Sequence, residues 1–279
     1  MKQRVNLLGM CAFMAVLGVA VLFTACSKES VKKEVFTGYA QKGPFAAGSS
    51  VTISELQADL TQTGKTYITT VSDNLGSFEL TDIEFVSNYV QIKVEGSFFH
   101  EFTGFVAGFL PMRLYTVVDI SNVNSANVNV LTHLEKSRVE YLVKQEKKSF
   151  SAAKKQAQLE VLAIFGFTPS NTSSEALDLT NDGMLLAISC IFLAVPYYGE
   201  TDLMELMANI SEDIKTDGIL NNTALGRKLV NCAKDICNDD GNDTFKLDRV
   251  RTNMETKYPN VTIPDFESYI QSFANSNLY

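Results

Sequence analysis

The sequence predicts a two-part α+β chain, an antiparallel β-sandwich over residues 36–130 followed by an α-helical bundle over 131–279. Upstream of Val130, apolar residues alternate with polar ones, as in Val90, Ile92 and Val94 against Gln91, Lys93 and Glu95. A period of two buries one face of a strand and wets the other. Downstream the period lengthens to that of a helix, with Ala153, Ala157, Val161, Ile164 and Phe165 on one face. A third observation, the apolar run that opens the chain, sets residues 1–35 apart from both parts.

That run follows Lys2 and Arg4, and from Leu7 to Phe23 every residue is apolar or small. Positive charge followed by an apolar stretch is the order of an export signal, expected here over 1–25. The stretch ends in Leu22, Phe23, Thr24, Ala25 and Cys26. This resembles the lipobox of bacterial lipoproteins, with Phe23 bulkier than the usual leucine. The resemblance implies that the Cys26 thiol is acylated and that the signal is cut away before it. Residues 26–35 would then be a lipidated tether. Each buried CH₂ contributes about 0.8 kcal/mol, so two or three acyl chains anchor stably where one does not. An uncleaved membrane-spanning anchor is the alternative, although the run falls short of the roughly 20 residues a spanning helix needs. Ser27 rather than Asp after the cysteine is similar to the outer-membrane sorting pattern of Gram-negative lipoproteins. Ser27, Lys28, Glu29 and Ser30 resemble a weak form of the acidic tether of Bacteroidota surface lipoproteins. Whether the protein faces the periplasm or the cell surface stays open.

In the β-part, strands are expected at 36–40, around Val51 and Ile53, at 67–72, around Phe78 and Leu80, at 90–94, 97–103, 114–120 and 126–130. Thr61 to Gly64 reads as the loop between two β-rich stretches, and Ser72, Asp73, Asn74, Leu75, Gly76 as a turn. Many short strands separated by turn chemistry form the pattern of a sandwich. Asp73, Gly76 and Phe78 resemble the Asp-x-x-Gly-x-Phe signature of carboxypeptidase-regulatory-like, transthyretin-like sandwiches, mostly non-catalytic modules of secreted proteins. In that signature a carboxylate caps turn amides, glycine takes positive φ and an aromatic ring enters the core. The segments 38–45, 128–134 and 206–218 are similar to segments of largely uncharacterised Bacteroidota surface lipoproteins, and the resemblance carries no catalytic residue.

Helices are expected at 131–144, 151–165 with Ser151 as N-cap and Gly166 as stop, 184–195, 202–215, 223–236, 247–257 and 265–273. The 184–195 segment is apolar nearly all round, as a central buried helix would be, and too short to span a bilayer. Asp217 and Gly218 read as a helix ending.

The net charge is −8, and loss of Lys2 and Arg4 with the signal makes the mature chain more acidic. Clustered Lys and Arg dominate nucleic-acid affinity, so nucleic acid is excluded as a partner. With Cys11 removed and Cys26 acylated, Cys190, Cys232 and Cys237 remain, an odd count that is not a disulfide framework. Five positions along a helix place two Cα atoms about 8 Å apart, beyond the roughly 7 Å a bridge tolerates, so Cys232 and Cys237 do not pair with each other. A bridge from Cys190 to either stays open.

Reactive motifs fail on inspection. Gly64-Lys65-Thr66 ends like a P-loop, but Asp59 stands where its first glycine belongs and the context is β. His100-Glu101 opens like a zinc-protease motif with Gly104 in place of the second histidine, and His133 is the only other histidine. There is no Gly-x-Ser-x-Gly elbow for a serine triad. Asp178, Thr180, Asp182 and Gly183 open like a calcium loop that Ser189 would have to close, and the acidic stretch 238–243 breaks the ligand pattern at both ends. No metal, cofactor or catalytic residue is therefore expected, and Cys26 is the one assigned functional position. The expected function is a membrane-anchored envelope lipoprotein, a non-enzymatic binding module for a glycan, a peptide or an envelope partner. The alternatives are a carboxylate-based hydrolase of an envelope or dietary polymer, and a structural subunit of an envelope complex.

Overall fold

The structure is a computed structural model that describes residues 30–168, 171–194, 200–238 and 246–279. The expected signal over 1–25 and Cys26 lie outside the described residues. So do Val195, at the end of the expected 184–195 helix, and most of the acidic stretch.

The chain is mixed α+β. Six strands come first: β1 (Val31–Gln41), β2 (Ser50–Leu56), β3 (Gln62–Thr70), β4 (Ser77–Phe85), β5 (Tyr89–His100) and β6 (Phe105–Asp119). The short β7 (Val128–Asn129) leads directly into α1 (Val130–Lys144) and α2 (Phe150–Ile164). A 3-10 turn at Ser174–Ala176 precedes α3 (Gly183–Leu193), α4 (Glu200–Asp213), α5 (Thr223–Cys237), α6 (Leu247–Lys257) and α7 (Glu267–Ala274). One sheet has the order β4-β1-β7 and the other β3-β2-β5-β6. Neighbours run antiparallel except β1 and β7, which pair in parallel over two residues.

Register explains the alternation seen in the sequence. Val51 lies opposite Val94 and Ile53 opposite Ile92 across β2 and β5, and Val94 lies opposite Leu114 on β6. All five side chains are fully buried on one face, so a one-residue slip would carry the whole set into water. Glycine is required at Gly76, where φ is +89° and a Cβ would lie 2.3 Å from the Ala40 carbonyl oxygen. In the same turn the Asp73 carboxylate accepts from the Leu75 and Ser77 amides at 2.8 and 3.0 Å, and Phe78 is buried. The local physics expected of Asp73, Gly76 and Phe78 is thus in place.

Several boundaries shift. β1 begins at Val31, inside the segment expected to be tether, because its outer half pairs with β4 from Val31 opposite Phe85 onward. The loop expected at Thr61 to Gly64 instead ends at Thr61. There Gln57 donates to the Thr61 carbonyl oxygen and Leu60 takes positive φ, leaving Gly64 inside β3. The strands expected at 90–94 and 97–103 are one strand, β5, irregular between Gly96 and Phe98. The N-cap of α2 is Ser149, not Ser151, since the Ser149 hydroxyl faces the Ala152 amide.

From Met184 to Leu193 every residue of α3 is buried, as a helix without a polar face must be. α3 packs against α1, α5 and α7, while α1 also lies against α2, α4 and β6. One hydrophobic cluster runs without a break from Phe36, Val51 and Ile92 in the strands to Leu131, Ile188 and Phe273 in the helices. A second joins Leu56 and Val117 of the sheet to Leu142, Phe150 and Ala157 of α1 and α2. Among the described residues no helix is long and apolar enough to cross a membrane.

Candidate functional site

A polar cavity lies where the end of β6 meets α1, α2 and the 3-10 turn, and local sequence places each piece. Asn129 caps α1: its side chain accepts from the Thr132 amide at 3.0 Å, and the Thr132 hydroxyl accepts from the Asn129 amide at 2.9 Å. This reciprocal cap satisfies two amides that a helix start leaves without partners. The other end of the Asn129 side chain donates to the Ser174 and Leu177 carbonyl oxygens at 2.8 and 3.2 Å. Asn127 donates to the same Leu177 oxygen at 3.0 Å. These bonds bring Ser174 and Glu175 beside the first turns of α1.

There Glu135 of α1 meets Lys154 of α2. The Lys154 ammonium is 2.9 Å from one Glu135 oxygen and 3.0 Å from a Glu175 oxygen, and the other Glu135 oxygen accepts from the Ser174 hydroxyl. Burial pushes the Glu135 carboxyl above its ordinary range, and the neighbouring Glu175 adds to the shift. Burial alone would lower Lys154, but the two carboxylates outweigh it and hold the ammonium above its usual value.

Above this cluster opens a cavity of about 440 Å³, walled by Asp119, Ser121, Ser151, Lys155, Gln158 and Asn171 with Phe150 and Leu159 among them. The volume is that of a small-molecule site. A second cavity of about 510 Å³, reaching Tyr39 and Glu79, shares the wall formed by Asp119, Ser173 and Glu175. Glu135 and Glu175 form the close carboxylate pair that a hydrolase would need, and their meeting was invisible in sequence. The Glu135 side chain is only 1% exposed, and its oxygens are taken by Lys154 and Ser174. It therefore positions Lys154 rather than facing a substrate.

The residues singled out in sequence do not converge on this cavity. His100 and His133 are half-buried with Nδ1 of each shielded from water. Desolvation pushes each down to about 4, and His133 stacks on Tyr115 at 5.8 Å between ring centres. Lys65 lies on β3 and donates to the Glu84 carbonyl oxygen at 2.6 Å. In the loop that opens like a calcium site, Asp178 accepts from the Thr180 amide and hydroxyl and from Asn181. Asp182 caps α3 through the Leu185 amide at 2.7 Å, and Ser189 lies within α3. Asp217 accepts from the Ile219 amide just after α4, with Gly218 at φ +78°. Cys190, Cys232 and Cys237 are all free thiols, so no bridge reaches Cys190. Among the described residues no group of three or more His, Cys, Asp or Glu is arranged to hold a metal ion.

No protein-family model, curated protein or solved structure matches this chain.

Proposed function

We propose that this protein is an envelope lipoprotein, tethered to the outer membrane through an acylated Cys26, that binds a polyhydroxylated ligand such as a glycan segment in the cavity over Lys154. In this reading the strands form a sandwich and the helices a bundle, and the site lies in the seam between them. The observation that supports binding is the character of the cavity wall. Ser121, Asn122, Ser151, Gln158 and Asn171 bring hydroxyls and amides to the wall, and Phe150 and Leu159 bring apolar surface. Such a wall offers donors and acceptors to sugar hydroxyls and an apolar surface to the C–H face of a ring. Of the charges in the wall, the buried Glu135 is paired with Lys154, which also holds Glu175.

The test is a panel of immobilised oligosaccharides followed by calorimetry on any that bind. Asn122→Ala and Gln158→Ala are expected each to weaken a bound oligosaccharide by roughly tenfold, the order of one lost hydrogen bond in a desolvated site. Failure of every glycan to bind, or binding unaffected by both variants, overturns the reading. The anchor is tested separately: label from an acyl-chain analogue is expected to vanish in Cys26→Ala, and retained label refutes it.

A carboxylate-based hydrolase is the second reading, favoured by Glu175, the half-buried carboxylate that lines both cavities. Turnover of a polysaccharide that is lost in Glu175→Gln would establish it.

A further inference from the structure

A second buried polar cluster lies away from the cavity, where the sheet meets α3. Lys42 follows β1, Glu101 follows β5, and Ser189 sits in the middle of α3; all three side chains are fully buried. The Lys42 nitrogen donates to the Ser189 hydroxyl at 2.9 Å and to the Ser189 carbonyl oxygen at 2.8 Å. The Ser189 hydroxyl is also 2.5 Å from Glu101 Oε1, and Lys42 Nζ lies 3.6 Å from that same oxygen. Glu101 Oε2 is buried without a hydrogen-bond partner. Aromatic rings enclose the group: the Phe98 ring centre is 5.8 Å from Nζ, and Phe102 is fully buried beside Glu101.

The backbone holds the two side chains in this approach. Gly43 lies so close to β5 that a Cβ would come within 1.9 Å of the Phe99 carbonyl oxygen. Asn253 of α6 donates to the Glu101 and Phe102 carbonyl oxygens at 2.8 and 3.0 Å, fixing the turn that carries Glu101.

We propose that Lys42 and Glu101 are joined by an intramolecular amide bond that forms within the folded protein, with Ser189 carrying the proton. The Nζ lone pair attacks Glu101 Cδ. With the acid's own proton on Oε1, one proton passes from Nζ to the Ser189 oxygen while the Ser189 hydroxyl gives its own proton to Oε1, which then carries two. The Cδ–Oε1 bond then breaks and Oε1 leaves as water, while Oε2 becomes the amide carbonyl oxygen. One amide and one water are formed from one amine and one carboxylic acid, nothing is oxidised or reduced, and Ser189 is regenerated. The hydrogen left on the amide nitrogen already has an acceptor in the Ser189 carbonyl oxygen. Burial supplies the reactive forms, since it lowers Lys42 toward the neutral amine and raises Glu101 toward the carboxylic acid. It also opposes hydrolysis of the product by keeping water out. The bond would close the chain from residue 42 to residue 101 covalently in a protein whose described cysteines are all unbridged.

The test is the intact mass of the purified full chain, measured denatured, with a tryptic map. The expected mass is lower than that of the unlinked chain by one water, and the map joins the peptide of Lys42 to the peptide of Glu101. A chain that keeps the full mass after prolonged incubation in the folded state overturns the proposal, and leaves Lys42 and Glu101 an ion-paired lock. Lys42→Arg is expected to keep the full mass, and loss of water in that variant overturns the assignment. Ser189→Ala is expected to accumulate the linked form about a hundredfold more slowly, in the range that general acid–base assistance provides; an unchanged rate overturns the relay. The measurement on the parent chain does not depend on any variant folding.

Discussion

Replacing Lys154 with methionine removes the one cation between Glu135 and Glu175 while keeping an unbranched side chain of similar length. In the parent, the ammonium lies 2.9 and 3.0 Å from the two carboxylates, and the Lys154 and Glu135 side chains are 10% and 1% exposed. Removing one partner of a pair so far from water leaves an uncompensated buried charge, which costs about 3–5 kcal/mol. Glu135 would keep only the Ser174 hydroxyl as a donor. Its way out is to take a proton, so in Lys154→Met its folded-state pKa rises further above the unfolded value. Between those two values the native state binds more protons than the unfolded state, and stability falls as pH rises through the window. The loss is therefore largest at neutral pH and shrinks on acidification. Urea denaturation of parent and variant at pH 7 and pH 5 reads this directly. Using the difference between the two proteins cancels the histidine contributions they share. A loss of about 4 kcal/mol at pH 7, on the order of 10 °C in Tm, is expected. Glu135→Leu added to Lys154→Met should restore part of it, because the stranded charge is gone. A loss under about 1 kcal/mol at pH 7, or one that grows toward pH 5, refutes the ion-pair account.

The parent has its own pH dependence. His100 and His133 are held down to about 4, below an ordinary histidine. The unfolded state therefore binds more protons than the native state between about pH 6.5 and 4. Their contribution to stability is complete above that window and is lost as pH falls through it. Glu101 and Glu135, both raised, contribute with the opposite sign, so the test compares parent with His133→Gln. A parent that loses no stability relative to that variant from pH 7 to 4 would contradict the desolvation of His133. Gly76→Ala forces a Cβ onto the Ala40 carbonyl oxygen at a positive φ and should cost about 2 kcal/mol or more by chemical denaturation; a change under 0.5 kcal/mol, on the same order-of-magnitude scale, argues against that turn. Asn129→Ala removes the cap and the tie to Ser174 and should cost about 1–2 kcal/mol, while its sugar affinity, if the cavity reading holds, falls as Glu175 loses its position. Burial raises Cys232 to about 12 and Cys190 well above its ordinary value; Cys237 is raised by burial too but is only half-buried. A maleimide should therefore label Cys237 first in the native protein, and faster labelling of Cys190 or Cys232 would reverse that order.

Elements with a strong local period were readable from the chain itself. The 247–257 helix has the observed ends of α6, and the Val51, Ile53, Val90, Ile92 and Val94 pattern gave the buried face of its sheet. Boundaries slipped where hydrogen bonds decide them. Whether Ser149 or Ser151 caps α2 depends on which hydroxyl reaches an amide, and the two serines look alike in sequence. Gly64 reads as a loop residue because glycine favours turns, yet its φ of +92° is accommodated inside β3. The polar clusters were out of reach for a different reason. Glu135, Lys154 and Glu175 come from three separate elements, and Lys42 and Ser189 are 147 positions apart. Nothing local marks them: Lys42 follows Gln41 and Glu101 follows His100, and a solvated residue has the same kind of surroundings. His100-Glu101 did draw notice, for zinc chemistry, when its informative member was the glutamate.

β1 also has a mechanical meaning. Among the described residues it is the first strand, and it is the middle one of its sheet, laddered to β4 from Val31 to Tyr39 on one side and bridged to β7 at Ala40 and Gln41 on the other. A pull transmitted through the N-terminus enters the fold along this strand. That pull first meets the β4 ladder alone, and from Thr37 onward the strand is held on both sides, by β4 and by the segment from Ser125 into β7. Beyond its far end, at Lys42, the load passes into α3 through Ser189, so the helices share the tension with the sheet.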